Sequence, residues 1–176
     1  MGPVGHTVIS GALGVVVGAV TGSPAAGATT LGVGVLMDVD HLFDFYQWYG
    51  RGKSKRIFLL FHAWEYSVIG MFTLTAAFFH PLLLAVVIAQ LGHVATDHFH
   101  NCLPTWAYFI SYRIARKFET VYIAPGYNVM NSYKVWHRML PFNSRLAPWF
   151  RRKIEPWFAK RVERYLPGDA DTGKLD

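Results

Sequence analysis

The sequence predicts an all-α polytopic membrane helix bundle of about four transmembrane helices, followed by a basic-aromatic amphipathic helical tail. Three observations carry this expectation. No Asp, Glu, Lys or Arg precedes Asp38, and from Ile57 to Thr96 only Glu65 is charged, whereas a soluble domain carries roughly one charge in four residues. Proline and glycine punctuate the apolar runs. Basic residues are displaced to the back: residues 1–100 hold four Lys/Arg and five Asp/Glu, the remainder thirteen and six.

Four apolar helices follow from this pattern, at about Pro3 to Thr21, Pro24 to Asp40, Ile57 to Phe79 and Pro81 to Asp97. Gly22-Ser23-Pro24 and His80-Pro81 supply tight turns, because proline suits a helix start and disfavours helix in the residue before it. The hairpins are joined by the polar stretch YGRGKSKR. Three of the runs lie near the lower limit of about 17 residues for a bilayer span. A soluble bundle with the same helices buried is the alternative. No Lys or Arg stands ahead of the first run to make the positive n-region of a cleavable signal peptide. At 176 residues one domain with a real core is expected: a bundle over 1–103, cytoplasmic interfacial helices over 104–166, and a disordered tail over 167–176.

Charge sets the expected topology. Both termini and the Arg51–Arg56 loop fall on one side, and the positive-inside bias places that side in the cytoplasm of a bacterial inner membrane. Helix faces add detail. Ser10, Gly14, Gly18 and Gly22 form a small-residue stripe with His6 as its next position, and Ala26, Thr30 and Gly34 end in Asp38. Ala85 and Ala89 end in His93 and Asp97. Small stripes let membrane helices approach closely, so three bundle-facing sides are expected to finish at one membrane face in a polar group.

Ionisable groups in an apolar bundle are costly unless paired or metal-bound, which makes them functional candidates. The candidates are His6, Asp38, Asp40, His41, His62, Glu65, His93 and Asp97, with His100 added if the last helix continues. His93 and Asp97 are one turn apart, and His62 and Glu65 three residues apart, so each pair can address one cation from a single face. His with Asp or Glu and no Cys suits a catalytic zinc, manganese or iron site rather than a structural zinc. Competing readings are ordinary ones: His6 as a helix-start cap or interfacial group, Asp38 and Asp40 as a polar helix end, Asp44 as part of a solvated or aromatic-flanked loop, His80 as interfacial, and His137 as a tail group facing solvent or headgroups. His98 points away from Asp97. Cys102, the single cysteine, excludes an internal disulfide and reads as an apolar filler.

GH near the start, DVDH after the second run, a histidine opening the third and HVATD closing the fourth resemble the inner-membrane, LexA-regulated family of metal-dependent hydrolases over residues 1 to about 101. The resemblance places His6, Asp38, Asp40, His41, His62, His93 and Asp97 on motif positions. Met37 stands where the family has the proline of PDxDH, and FHAWEYS replaces HRGxTHS, so Glu65 becomes the candidate for the missing first histidine's role. The HxxxD pattern is more distantly similar to zinc-dependent phospholipases C. The resemblance implies hydrolysis. In a hydrolase of this kind one to three divalent ions, zinc foremost, are expected to supply hydroxide, with Asp40 and Glu65 as candidate proton acceptors.

The tail alternates aromatics and bases, as in PWFRRKIEPWFAKRVERY, which suits helices on an anionic leaflet. Nucleic-acid binding is the rival explanation, and no nucleic-acid module signature is present. The function expected from all this is a membrane-embedded metal-dependent hydrolase acting on a lipid ester or phosphoester at the cytoplasmic face. The alternative is a non-catalytic metal-binding or metal-transport membrane protein.

Overall fold

A computed structural model describes residues 2–166; the expected disordered stretch 167–176 lies outside them. The architecture is all-α. Nine α-helices are formed among the described residues: α1 Pro3–Thr21, α2 Pro24–Leu36, α3 Asp40–Phe45, α4 Trp64–Ala76, α5 Pro81–His100, α6 Ile110–Ala115, α7 Thr120–Ile123, α8 Asn143–Lys153 and α9 Glu155–Tyr165. Short 3-10 turns at Met37–Val39, Thr105–Tyr108 and Val129–Met139, and a π turn at Tyr46–Gly50, link them.

The first hairpin forms as its punctuation predicts. Gly22 adopts the left-handed conformation at φ 63° and closes α1, a geometry glycine reaches without a Cβ clash. Ser23 Oγ accepts the Ala26 N–H at 3.2 Å and Pro24 opens α2. At the second turn, His80 Nδ1 accepts the Leu82 N–H at 3.2 Å and caps α5.

The small-residue stripes are the packed faces. His6, Ser10 and Gly14 are buried on α1, Ala26, Thr30 and Gly34 on α2, and Ala85, Ala89, His93 and Asp97 on α5. Helix α2 packs against α1 and α5, and α4 packs against α5. Gly14 and Gly27 set the approach of α1 and α2: a Cβ on either would lie 2.7 Å from the other's carbonyl oxygen. The outer face is the apolar one, with Val8, Val15, Val16 and Val20 exposed on α1 and Val68, Ile69 and Phe72 on α4. Small residues inside and large apolar residues outside reverse the pattern of a soluble bundle.

Two helices, α1 and α5, are long and apolar enough to cross a membrane. The second and third expected spans are shorter than the sequence suggested, at 13 residues each. Helix α2 gives way to a 3-10 turn after Leu36, and residues 57–63 are not helical. In residues 57–63 the cause lies in polar side chains that take the backbone's hydrogen bonds. Asp44 accepts the N–H groups of Phe58 and Leu59 at 2.9 and 3.1 Å, and Asp40 accepts that of Phe61 at 2.8 Å. Asp44 is therefore fully buried, not the solvated loop residue expected. With their partners outside the segment, these residues gain nothing from helix formation.

Beyond α5 the chain folds back on the 37–59 region. Trp48, Tyr49, Ile57 and Leu59 share one buried cluster with Tyr108, Ile123, Met130, Tyr133 and Val162. The tail aromatics thus divide, because Trp106, Phe142, Trp149 and Trp157 remain exposed.

Replacing Gly27 by Val should drive α1 and α2 apart at a cost of about 1–3 kcal/mol, the usual range for overpacking. The check is the thermal unfolding midpoint in detergent, expected to fall relative to the wild type, with Gly32→Val, where a Cβ meets nothing within 4 Å, as the control expected to hold its midpoint.

Candidate metal centre

Each element delivers one or two groups to the same end of the bundle. His6 lies one turn into α1, Asp38 follows the end of α2, His41 sits on α3, His62 stands in the non-helical stretch before α4, and His93 and Asp97 occupy the last turns of α5. His6, His62, His93 and Asp97 are buried. Two groups could hold a metal ion: His6, Asp38, His93 and Asp97, and Asp38, His41 and His62, with Asp38 common to both.

Hydrogen bonds fix the imidazole rings. His93 Nδ1 is 2.7 Å from the Gly34 carbonyl oxygen; a carbonyl only accepts, so Nδ1 carries the proton and Nε2 of the neutral ring presents its lone pair to the cluster. His62 Nδ1 is 3.0 Å from Asp40 Oδ2, and the same logic turns its Nε2 inward. A histidine whose far nitrogen donates to a carbonyl or carboxylate is the usual arrangement of a metal ligand.

The inward-facing atoms stand at ligand spacing. His62 Nε2 and His93 Nε2 are 3.1 Å apart, and each is 3.3 Å from Asp38 Oδ1. Asp97 Oδ2 is 3.4 Å from His62 Nε2 and 3.7 Å from His93 Nε2. Bonds of about 2.0–2.2 Å around a tetrahedral ion give ligand–ligand edges of about 3.3–3.6 Å, so all five separations fall near that value. Two nitrogens bearing lone pairs have no reason to meet at 3.1 Å unless a proton or a cation sits between them.

Charge leads to the same requirement. Three carboxylates, Asp38, Asp40 and Asp97, meet four histidines in a region largely cut off from water. Burial works against charge on His62, yet its contacts with Asp38, Asp40 and Asp97 hold its pKa well above the ordinary imidazole value. Burial likewise raises Asp40, but His62 and the Phe61 N–H outweigh it and draw its pKa down. A proton and a divalent ion are alternative answers to this excess of negative charge.

The remaining candidates take other positions. Asp40 belongs to neither group; its Oδ2 holds His62 and the Phe61 N–H, and its Oδ1 is buried without a hydrogen-bond partner. His6 Nε2 meets Asp97 Oδ1 at 3.0 Å and its ring stacks on His93 at 3.8 Å between centroids, so it is no isolated helix-start cap. His41 is at the rim, with its side chain 32 % exposed, 3.5 Å from Asp38 Oδ1. Glu65 lies outside both groups: it accepts the N–H groups of Ile110 and Ser111 at 3.0 and 2.9 Å and the Ser111 hydroxyl at 2.7 Å, anchoring the start of α6. His100 is exposed at the end of α5, and His98 pairs with the Trp64 indole at 3.4 Å. His137 contacts Glu155 at 3.6 Å.

One participant escaped sequence reasoning. Arg113 is fully buried, and its guanidinium donates to the carbonyls of Phe58 and His62 at 3.0 and 2.8 Å and to that of Leu59. Burial pulls its pKa below the ordinary arginine value. The residue looked like one base among many in the tail, and nothing local in ISYRIARKF separates it from its neighbours. It holds the stretch that presents His62.

Comparisons with family models, with curated proteins and with solved structures return no match. The motif resemblance therefore stands on its residues alone, and the structure gathers those at 6, 38, 41, 62, 93 and 97 into the two groups described.

Arg113→Met should leave three carbonyls short of a donor, costing about 1–3 kcal/mol for each group left unpaired. The expected result is a lower unfolding midpoint together with weaker zinc binding in competition titration, and partial recovery of both in Arg113→Lys. An unchanged zinc affinity in Arg113→Met would separate this arginine from the metal centre.

Proposed function

We propose that the chain is a membrane-embedded, metal-dependent hydrolase that acts on a lipid ester or phosphoester at the cytoplasmic face of a bacterial inner membrane. The single observation behind this reading is that His62 Nε2 and His93 Nε2 lie 3.1 Å apart and each stands 3.3–3.7 Å from a carboxylate oxygen of Asp38 and of Asp97. Four ligands of this kind, with no sulfur, suit zinc or a similar divalent ion.

When bound, such an ion supplies Lewis acidity and lowers the pKa of water at the site toward about 7. The chain's own residues do the rest. His6 steadies Asp97 through its second oxygen, and Asp40 and the Gly34 carbonyl hold the His62 and His93 rings in the tautomer that frees Nε2. His41 is the one histidine of the cluster with substantial exposure, beside Asp38 at 26 %. That position suits it to take a proton from attacking water and return it to the leaving oxygen, a role that imidazole fills near neutral pH. Asp40 is committed to His62, and Glu65 to α6, so neither carboxylate is assigned the base.

Membrane embedding draws support from the outward apolar faces of α1 and α4, and from two helices of spanning length. Topology follows the charge distribution, with both termini and the Arg51–Arg56 loop cytoplasmic. Tags at the N-terminus, near Lys53 and at the C-terminus should all report the cytoplasm, and a periplasmic signal from any of them would overturn this orientation.

Purified protein should carry at least one equivalent of zinc or a comparable ion, and His93→Ala and Asp97→Ala should each lose it, since removing one ligand also strands buried charge. His41→Ala should keep the ion held between His62, His93, Asp38 and Asp97 while losing hydrolysis of p-nitrophenyl esters or phosphodiesters by about 10²–10⁴-fold, the usual contribution of a general base. Metal without turnover in the wild type would favour the non-catalytic metal-binding alternative. Unchanged metal content in both ligand variants would remove the site.

A further inference from the structure

Helix α3 exposes apolar surface where a soluble protein would place charge. Val39, Leu42, Phe43 and Tyr46 are all exposed, Leu42 by 63 % and Tyr46 by 60 %. At about 100° per residue they fall within one stripe about 100° wide. Asp40, Asp44 and Gln47 lie on the other side of the same segment and are buried. No charged residue interrupts the stripe.

The opening of the metal centre lies along this stripe's edge. Among the cluster's side chains, Asp38 and His41 are the ones with substantial exposure, at 26 % and 32 %, and the other ligands are nearly sealed. Asp38 is followed directly by Val39, and His41 by Leu42. A molecule reaching the ligands must therefore pass between the polar rim and the apolar stripe. The level is also set: His6 lies near the start of α1 and Asp97 near the end of α5, the two helices long enough to span. Helix α3 thus runs where a span meets the interface, and Tyr46 is of the type that settles there.

We propose that the α3 stripe is the seat of an acyl chain, so that a bilayer lipid slides its headgroup linkage past His41 to the metal centre without leaving the leaflet. The proposal builds on the hydrolase reading, and it commits to a bilayer lipid as occupant. An apolar face continuous with the one open side of a polar site is what a substrate with an apolar body and a polar reacting group requires. A water-soluble substrate would leave this surface facing water for no gain.

Two measurements test it. In a Cys102→Ser background, which removes the single exposed cysteine, a nitroxide at Leu42→Cys is compared with one at Lys53→Cys in nanodiscs of phosphatidylethanolamine and phosphatidylglycerol. Relaxation by oxygen should exceed relaxation by a water-soluble nickel chelate at position 42, with the order reversed at 53. Excess nickel accessibility at 42 would place the stripe in water and overturn the proposal. Shielding from both reagents would mean that a second copy or another protein covers the stripe, and would overturn it equally. This arm needs no catalysis, so it stands or falls separately from the hydrolase reading. The second arm uses p-nitrophenyl esters of short and long acyl chains: Leu42→Gln should raise KM for the long ester and leave the short one and the zinc content unchanged. Equal effects on both esters would overturn the acyl seat while leaving the hydrolase intact.

Discussion

Carboxylates taken out of water must be answered by positive charge, and in this chain that demand comes from Asp38, Asp40 and Asp97 meeting at one end of a bundle. An isolated buried carboxylate costs several kcal/mol, and three together can persist only because protons, histidines or a cation face them. The rest of the architecture serves that meeting. Gly14 and Gly27 allow α1 to approach α2, which brings His6 over His93 and against Asp97. The stripe Ala85, Ala89, His93 and Asp97 lets α5 pack on α2, which brings the Gly34 carbonyl to His93 Nδ1. Helix packing and ligand orientation are the same event here.

The non-helical stretch 57–63 shows how far this demand reaches. Three buried polar side chains, Asp40, Asp44 and Arg113, take up its N–H and carbonyl groups. Irregular backbone in a buried position is tolerable when its polar groups are satisfied by protein. In return the stretch gains a fixed course that holds His62 between Asp40 and the cluster. Helix α6, anchored by Glu65 and carrying Arg113, braces that stretch. The basic tail is thus partly built into the bundle, through the cluster that joins Trp48 and Tyr49 to Tyr133 and Val162, while Trp149 and Trp157 stay on the surface.

The chemistry follows from the separation of roles within one cluster. Four atoms at ligand spacing face inward, two acceptors outside them fix the histidine tautomers, and one half-exposed histidine stands at the rim. The exposed edge of the cluster, at Asp38 and His41, borders the apolar stripe of Val39, Leu42, Phe43 and Tyr46.

The amino-acid sequence by itself determined the helical class, the two turns and the identity of most of the clustered groups. These are local matters: hydropathy runs, Pro and Gly positions, and four-residue spacing of small residues ending in His or Asp are all written along the chain. It left the partners of four groups undetermined: Asp40, Asp44, Glu65 and Arg113. Each of these takes its role from a partner far away in sequence: Glu65 from Ile110 and Ser111, Arg113 from Phe58 to His62, Asp44 from Phe58 and Leu59. Hydropathy and periodicity record which face a side chain occupies, not which distant atom it will meet. Only tertiary structure decided which carboxylates face the candidate metal centre and which hold the scaffold, because a carboxylate serves either purpose and the nearest donor makes the choice.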